Sequence, residues 1–404
     1  MKEPREAWVV VWAAFVSLAV IFGVAYSFAA FFESFAREFA ARRADVALVF
    51  GLSGLIYFVL GAAGGMLADR FGPRAVCCTG MLFIAGGLLA TSYATSMAMV
   101  YAAYGVGIGV GIALVYTPAI ACVQPWFTRR RGLAAGIASA GIGAGTVVVP
   151  LLASAAIGAV EWREALRWLA LGAGGVGLAA AWLLRRAPNA ASSGATASGA
   201  TLGEALRSRN FQWMYLMAFV ASPVMFIPFA HVSAAARDLQ IGEAQAVGLV
   251  GLIGIGSLVG RFAIGALADR IGRGRTLVLM QASMGASYLL WGGAGAGAGA
   301  GAGVDVSPYL ALAVFAVWFG LSYGGIVSLM PAICMDLFGA RAVSSIVGTL
   351  YTGAALGNLL GPVLAGAVFD ATASYVPVIF GCVLLGALAT AASMRVAQPA
   401  GRRF

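Results

Sequence analysis

The stretch Gly248 to Arg275, GLVGLIGIGSLVGRFAIGALADRIGRGR, is apolar and glycine-rich over the length of a bilayer crossing, and it carries one arginine, Arg261, well inside the run. About 20 apolar residues make a helix long enough to span the hydrocarbon core. A guanidinium near the centre of such a helix costs roughly 2.5–3.5 kcal/mol on insertion scales, so residues of this kind face a wet cavity or a partner. The length of the run places the chain in a membrane, and Arg261 marks a candidate functional centre.

The rest of the chain has the same character. Of its 404 residues, 61% are hydrophobic and 10% charged, which excludes a soluble globular domain. The pattern predicts an all-α membrane protein with twelve transmembrane helices. Six are expected at Trp8–Phe32, Val46–Ala68, Ala75–Tyr93, Met97–Val123, Gly132–Ile157 and Leu166–Leu184. Six more are expected at Phe211–Ala235, Ala246–Ala268, Thr276–Gly293, Pro308–Cys334, Ser344–Phe369 and Tyr375–Met394. Between the sets lies RRAPNAASSGATASGATLGEALRSRN, whose small and polar residues bury little. The chain thus divides into a bundle over 1–184, a linker over 185–210 and a second bundle over 211–404. The first span is too long for a signal peptide and is read as an uncleaved helix. The Gly-Ala alternation from Gly292 to Gly303 is expected to be a mobile outer loop without chemistry.

A net charge of +10 would suit a nucleic-acid binder, but the basic residues sit in the short links between spans, so nucleic acid is not an expected partner. Of the 25 Lys and Arg, only Arg37, Arg42, Arg43, Arg163, Arg167 and Arg237 fall on the side away from the N terminus, with Arg261 inside a span. The positive-inside rule then puts both termini and the linker in the cytoplasm. None of the 15 acids falls in mid-membrane, which leaves Arg261 and, less deep, His231 as the embedded ionisable groups. The five cysteines lie inside apolar runs and read as packing residues. No nucleotide loop, metal cluster or nucleophile with a base is present in the pattern, so neither an enzyme nor a cofactor is expected.

The two halves repeat. Gly65-Met66-Leu67-Ala68-Asp69-Arg70-Phe71-Gly72-Pro73-Arg74 after span 2 is echoed by Gly265-Ala266-Leu267-Ala268-Asp269-Arg270-Ile271-Gly272-Arg273 after span 8. Pro118-Ala119-Ile120 in span 4 recurs as Pro331-Ala332-Ile333 in span 10. Parallel six-helix repeats are an architecture that places a substrate site between the halves near the bilayer midplane.

The G-x-L-A-D-R-x-G motif and its echo resemble the signature loop of the major facilitator superfamily. Finer features resemble the monocarboxylate porters and the oxalate/formate exchangers. They include Tyr26-Ser27-Phe28 with Phe31-Phe32, and Trp126-Phe127 before Arg129-Arg130-Arg131-Gly132. They also include Phe319-Gly320-Leu321-Ser322-Tyr323-Gly324-Gly325, Met335-Asp336-Leu337-Phe338-Gly339, and Leu360-Gly361-Pro362 with Asp370. The resemblance implies that an arginine of span 8 binds the substrate carboxylate; its match here is Arg261, followed at the family's distance by Gly265. It also implies that Asp69, Arg70, Asp269 and Arg270 form a gating latch at the cytoplasmic helix ends. Three positions depart from the families: Ser257 stands where animal monocarboxylate porters have an acid, Tyr26 where they have a lysine, and Asn358 where the exchangers have a second cation.

By this reading Arg261 clamps a carboxylate with its planar fork. His231 is a candidate to carry a proton or to hydrogen-bond substrate. Tyr26, Tyr116, Tyr323, Asn358 and Ser257 are candidate substrate-binding groups on the spans that line the cavity by resemblance. Pro118, Pro150, Pro331 and Pro362 are candidate bends for rocking motions. The expected function is secondary transport of a small monocarboxylate, lactate- or pyruvate-like, by alternating access with proton coupling. Anion exchange, efflux of larger amphipathic compounds, and a non-transporting membrane receptor are the alternatives. A bacterial inner membrane, membrane lipid as surroundings and a functional monomer complete the expectations.

Overall fold

A computed structural model describes residues 4–127, 131–187, 199–296, 307–339 and 341–396. Among them are twelve long helices. The first half has α1 (Arg5–Glu38), α2 (Arg43–Phe71), α3 (Pro73–Ser92), α4 (Met97–Ala121), α5 (Arg131–Ala159) and α6 (Trp162–Leu183). The second has α7 (Arg209–Asp238), α8 (Glu243–Ile271), α9 (Arg273–Ala296), α10 (Pro308–Phe338), α11 (Val343–Thr372) and α12 (Val376–Met394). All but α9 are long and apolar enough to cross a membrane by length and composition, so the protein is an integral membrane protein. The outer part of the Gly-Ala stretch, from 297 onward, lies outside the described residues, as do Arg129 and Arg130.

Several helices overrun the expected spans at both ends. α1 has 34 residues, roughly 50 Å of helix, and begins and ends among charges. Hydropathy stops at the first charged residue, whereas the backbone keeps its hydrogen bonds until a turn residue intervenes. Those turns repeat between the halves. Gly72 and Gly272 both adopt a left-handed conformation, φ 90° and 92°, after α2 and α8. Ala40 and Gln240 do the same before them, φ 47° and 61°. A structural repeat at an offset of 200 residues therefore carries the motif, its turn and the two helices it follows.

The expected linker is partly structured. Thr201 and Glu204 form a reciprocal capping box that starts a short helix, Leu202–Arg207, and the Ala200 amide donates to the Phe338 carbonyl at the end of α10. The T-x-x-E spacing was the available signal for this turn of helix.

Two seams join the halves, α2 against α11 and α5 against α8. Small residues permit both. A Cβ on Gly51 would meet the Leu359 carbonyl at 2.9 Å, and one on Gly254 would meet the Gly143 carbonyl at 3.1 Å. Burial is unequal along the bundle. α1 is buried without interruption from Val20 to Phe32 and α7 from Phe226 to Ala236, both toward the face away from the linker. On α2, Val59, Leu60, Met66 and Leu67 are exposed on the side of the helix away from Tyr57 and Phe58. The halves are packed together at the face away from the linker, and they also meet nearer the linker, where a Cβ on Gly136 would lie 3.4 Å from the Phe262 ring and one on Gly348 4.0 Å from Ala62.

Candidate functional site

Between the halves lies a cavity of about 70 Å³, and Arg261 lines it. The first half contributes Phe22, Tyr57, Phe58, Tyr116 and Ile142; the second contributes residues of α7 to α11, among them Phe226, Gln281, Tyr323, Met330 and Tyr351. At 10–15 Å³ per ordered water, the space holds roughly five waters, the scale of a small molecule. The walls are mainly aromatic. Phe22 meets Tyr116 edge-on at 5.3 Å between ring centroids, and Phe58 bridges the halves to Phe226 at 5.8 Å and Tyr351 at 5.7 Å.

Arg261 lies one turn past the midpoint of α8 toward the linker face. Its Nε and Nη2 are buried with no hydrogen-bond partner, and it forms no ion pair among the described residues. The corresponding residue of the first half is Gly61. The fold therefore accommodates this helix position without a cation, and Arg261 is an addition to one side of a pseudo-symmetric cavity. Two buried guanidinium nitrogens with free donors have the chemistry to bind an anion.

Tyr116 and Tyr323 share the lining with Arg261. Tyr26 stands behind it: its hydroxyl shares a 3.3 Å hydrogen bond with that of Tyr323, and its ring stacks on Phe229 at 4.2 Å, so the pair closes the cavity across the two halves. The remaining candidates are elsewhere. Ser257, one turn back on α8, is buried with an unpartnered hydroxyl but does not line the cavity. Asn358 is built into the α2–α11 seam, its Nδ2 donating to the Gly51 carbonyl at 3.4 Å.

His231 is fully buried and apart from the cavity. Its Nε2 faces the Pro362 carbonyl at 2.8 Å and its Nδ1 the Tyr375 hydroxyl at 3.0 Å. Tyr375 also accepts from Arg43 Nη1 at 2.8 Å, which leaves its own hydrogen free to point to His231. With Nε2–H donating to Pro362 and Nδ1 accepting from Tyr375 every group here is satisfied, and the side chain bridges α7, α11 and the start of α12.

At the linker face, Asp69 and Arg70 are exposed and make no ion pair among the described residues; Arg70 instead lies over the Phe71 ring at 5.2 Å. Arg186 donates to the carbonyls of Ala68 and Asp69. Arg270 is likewise exposed, and the Asp269 side chain lies outside the described residues. Among the described residues, the ion pair at this face is Arg273 with Asp336, at 2.7 Å within the second half.

Sequence reasoning passed over Gln281, Tyr57 and Tyr351. Gln281 carried the same signal as Arg261, a polar residue inside an apolar run, at lower strength. Tyr57 is the repeat counterpart of Ser257, so the internal symmetry pointed to it.

The family model of the Major Facilitator Superfamily matches residues 13–297. The chain belongs to this superfamily. Among curated relatives of this superfamily member, bovine monocarboxylate transporter 13 is 30% identical over 377 residues, covering 92% of this chain and 86% of its own length. Rat monocarboxylate transporter 4 is 27% identical over 392 residues, covering 93% and 80%. Among solved structures, a bacterial homologue of the human lysosomal transporter Spinster, in an inward-facing and occupied conformation, superposes with a TM-score of 0.73 at 16% identity over 98% of this chain and 97% of its own. The protein is a major facilitator transporter related to the monocarboxylate transporters.

Proposed function

We propose that this protein carries a small monocarboxylate across the membrane by alternating access, with the carboxylate held by Arg261. The observation that carries this reading is the pair of unpartnered, buried Arg261 nitrogens inside a small inter-half cavity walled by aromatic rings. A guanidinium fork matches two carboxylate oxygens, and in a site poor in water such a pair is strong. The relatives named as monocarboxylate transporters support the same substrate class. Tyr116 and Tyr323 provide hydroxyls beside the anion, and Tyr26 with Tyr323 closes the cavity toward the opposite face. The linker face is cytoplasmic, with the positive residues. The Asp69, Arg70, Asp269 and Arg270 motifs latch the linker face when it closes. The membrane is a bacterial inner membrane, and one chain suffices for transport.

Two couplings fit this geometry. In proton symport, the proton enters with the acid, whose charge Arg261 then holds. In exchange, Arg261 does not reorient without an anion, because a bare buried cation is costly; the absence of any carboxylate partner for Arg261 among the described residues favours this second reading. Uptake of labelled lactate and pyruvate into proteoliposomes, with and without a pH gradient or preloaded acid, separates the two. Arg261→Ala is expected to abolish uptake in either case. Undiminished carboxylate uptake by Arg261→Ala would overturn the assignment.

A further inference from the structure

Gln281 is the second unsatisfied polar group of the Arg261 cavity. It is 1% exposed, it lines the cavity, and neither its Nε2 nor its Oε1 has a hydrogen-bond partner. The buried hydroxyls on α9 have partners. Thr276 donates to the Gly272 carbonyl, Ser287 to that of Met284, and Ser283 bonds both Ser322 and the Trp318 indole. An unpaired amide in a buried position is costly in free energy, and native folds rarely keep one without a use.

The internal repeat makes the exception sharper. At the offset of 200, the first-half counterpart of Gln281 is Met81, a fully buried residue whose thioether packs against Gly177. The helix position accepts an apolar side chain of nearly the same length. An amide here is therefore not required by packing.

Depth places Gln281 opposite Arg261. Both helices meet at the Gly272 turn; at 1.5 Å per residue Arg261 lies roughly 16 Å into α8 and Gln281 roughly 13 Å into α9. One small molecule in a cavity of about 70 Å³ can meet both.

We infer that Gln281 reads a second hydrogen-bonding group of the substrate, a carbonyl or hydroxyl on the carbon skeleton of the acid held by Arg261. The inference rests on the carboxylate reading above. An amide both donates and accepts, so it serves a carbonyl through Nε2 and a hydroxyl through either atom. A plain alkanoate of the same size leaves the amide buried and unpaired, which is how a site of this kind rejects an analogue.

The test uses three acids of equal carbon number, propionate, lactate and pyruvate, with the intact protein and Gln281→Met. In the intact protein, lactate or pyruvate is expected to raise the melting temperature more than propionate at equal concentration, and to be taken up with at least tenfold higher kcat/KM. In Gln281→Met that ratio is expected to fall at least tenfold, with an apo melting temperature equal to or above that of the intact protein. Equal shifts and equal uptake of the three acids by the intact protein would overturn the inference, as would a folded Gln281→Met that keeps the ratio. If Gln281→Met does not fold, the comparison of acids on the intact protein decides. Should the intact protein bind and carry none of the three acids while Arg261→Ala behaves identically, the carboxylate reading itself fails; a protein that carries all three without preference retains that reading and loses only the role of Gln281.

Discussion

The guanidinium of Arg43 holds both carboxylate oxygens of Asp238, at 2.6 and 2.8 Å, across the boundary between the two halves. The same guanidinium lies over the Phe369 ring at 3.8 Å and donates to the Tyr375 hydroxyl. Asp370 accepts from the backbone amides of Arg43 and Ala44, capping the first turn of α2 from α11. Arg237, from the second half, reaches the Ala29 carbonyl on α1. Together these contacts tie the halves at the face away from the linker.

This tie predicts a shift in conformation when it is cut. Arg43 is mostly buried, so its pair with Asp238 is worth more than an exposed one. Arg43→Ala should favour opening of this face by about 2 kcal/mol, the scale of a charged hydrogen-bonded contact. Spin labels placed at the ends of α2 and α11 should report the longer inter-half distance by electron–electron resonance. Asp238→Ala should do the same, and the double variant should open the face by less than the sum, because both remove one interaction. Full additivity would mean that Arg43 acts through Tyr375 and Phe369 instead.

Arg261→Lys tests the fork against the charge. A lysine keeps a cation at this depth but cannot present two parallel N–H donors. KM for a carboxylate should rise by about tenfold or more, the loss of one charge-assisted hydrogen bond, while Arg261→Gln should abolish saturable uptake. Concentration-dependent uptake in proteoliposomes measures both. If lysine supports the parent's KM, the site uses a point charge and bidentate geometry is not part of recognition.

The membrane fold was legible because hydropathy over spanning lengths is a strong, local signal, and the repeated Gly-x-Leu-Ala-Asp-Arg motif marked the two halves. The place of Arg261 inside a span was legible for the same reason, since a lone charge in an apolar run stands out. Pairings across the halves were not. Arg43 and Asp238 are 195 residues apart, each in a short polar link, and nothing in either link announces the other. His231 illustrates a subtler limit of sequence: residue type and depth suggested proton chemistry, but its contacts with Pro362 and Tyr375, which come from other elements, were not legible there. Asn358 is similar, since only the approach of α2 at Gly51 and Gly54 makes it a seam residue.

The His231 bridge has a consequence for stability. His231→Ala would leave the Pro362 carbonyl without its side-chain donor and the Tyr375 hydroxyl hydrogen without its acceptor, although Arg43 still donates to the Tyr375 oxygen, at a cost of about 1–3 kcal/mol. The melting temperature in detergent should fall, and the KM of the surviving folded protein for its acid should stay within a factor of two. A variant with the parent's melting temperature but an altered pH profile of uptake would instead return His231 to the proton pathway.

Glycines around Arg261 separate packing from freedom. A Cβ on Gly260 would collide with the Leu321 carbonyl where α8 crosses α10, whereas one on Gly265 would meet nothing within 4 Å. Both lie inside α8, where an alanine is otherwise the better helix former by up to about 1 kcal/mol. Gly260→Ala should therefore destabilise by about 1–3 kcal/mol through overpacking against a backbone atom that cannot yield, and by pushing α8 from α10 it should displace the neighbouring Arg261 and raise KM. Gly265→Ala should leave stability equal or slightly higher. Thermal unfolding in detergent, followed by uptake at several acid concentrations, measures the pair. If Gly265→Ala nonetheless slows transport, the open space beside Gly265 is filled in another conformation of the cycle, and the residue serves the movement of α8 instead of its resting contacts.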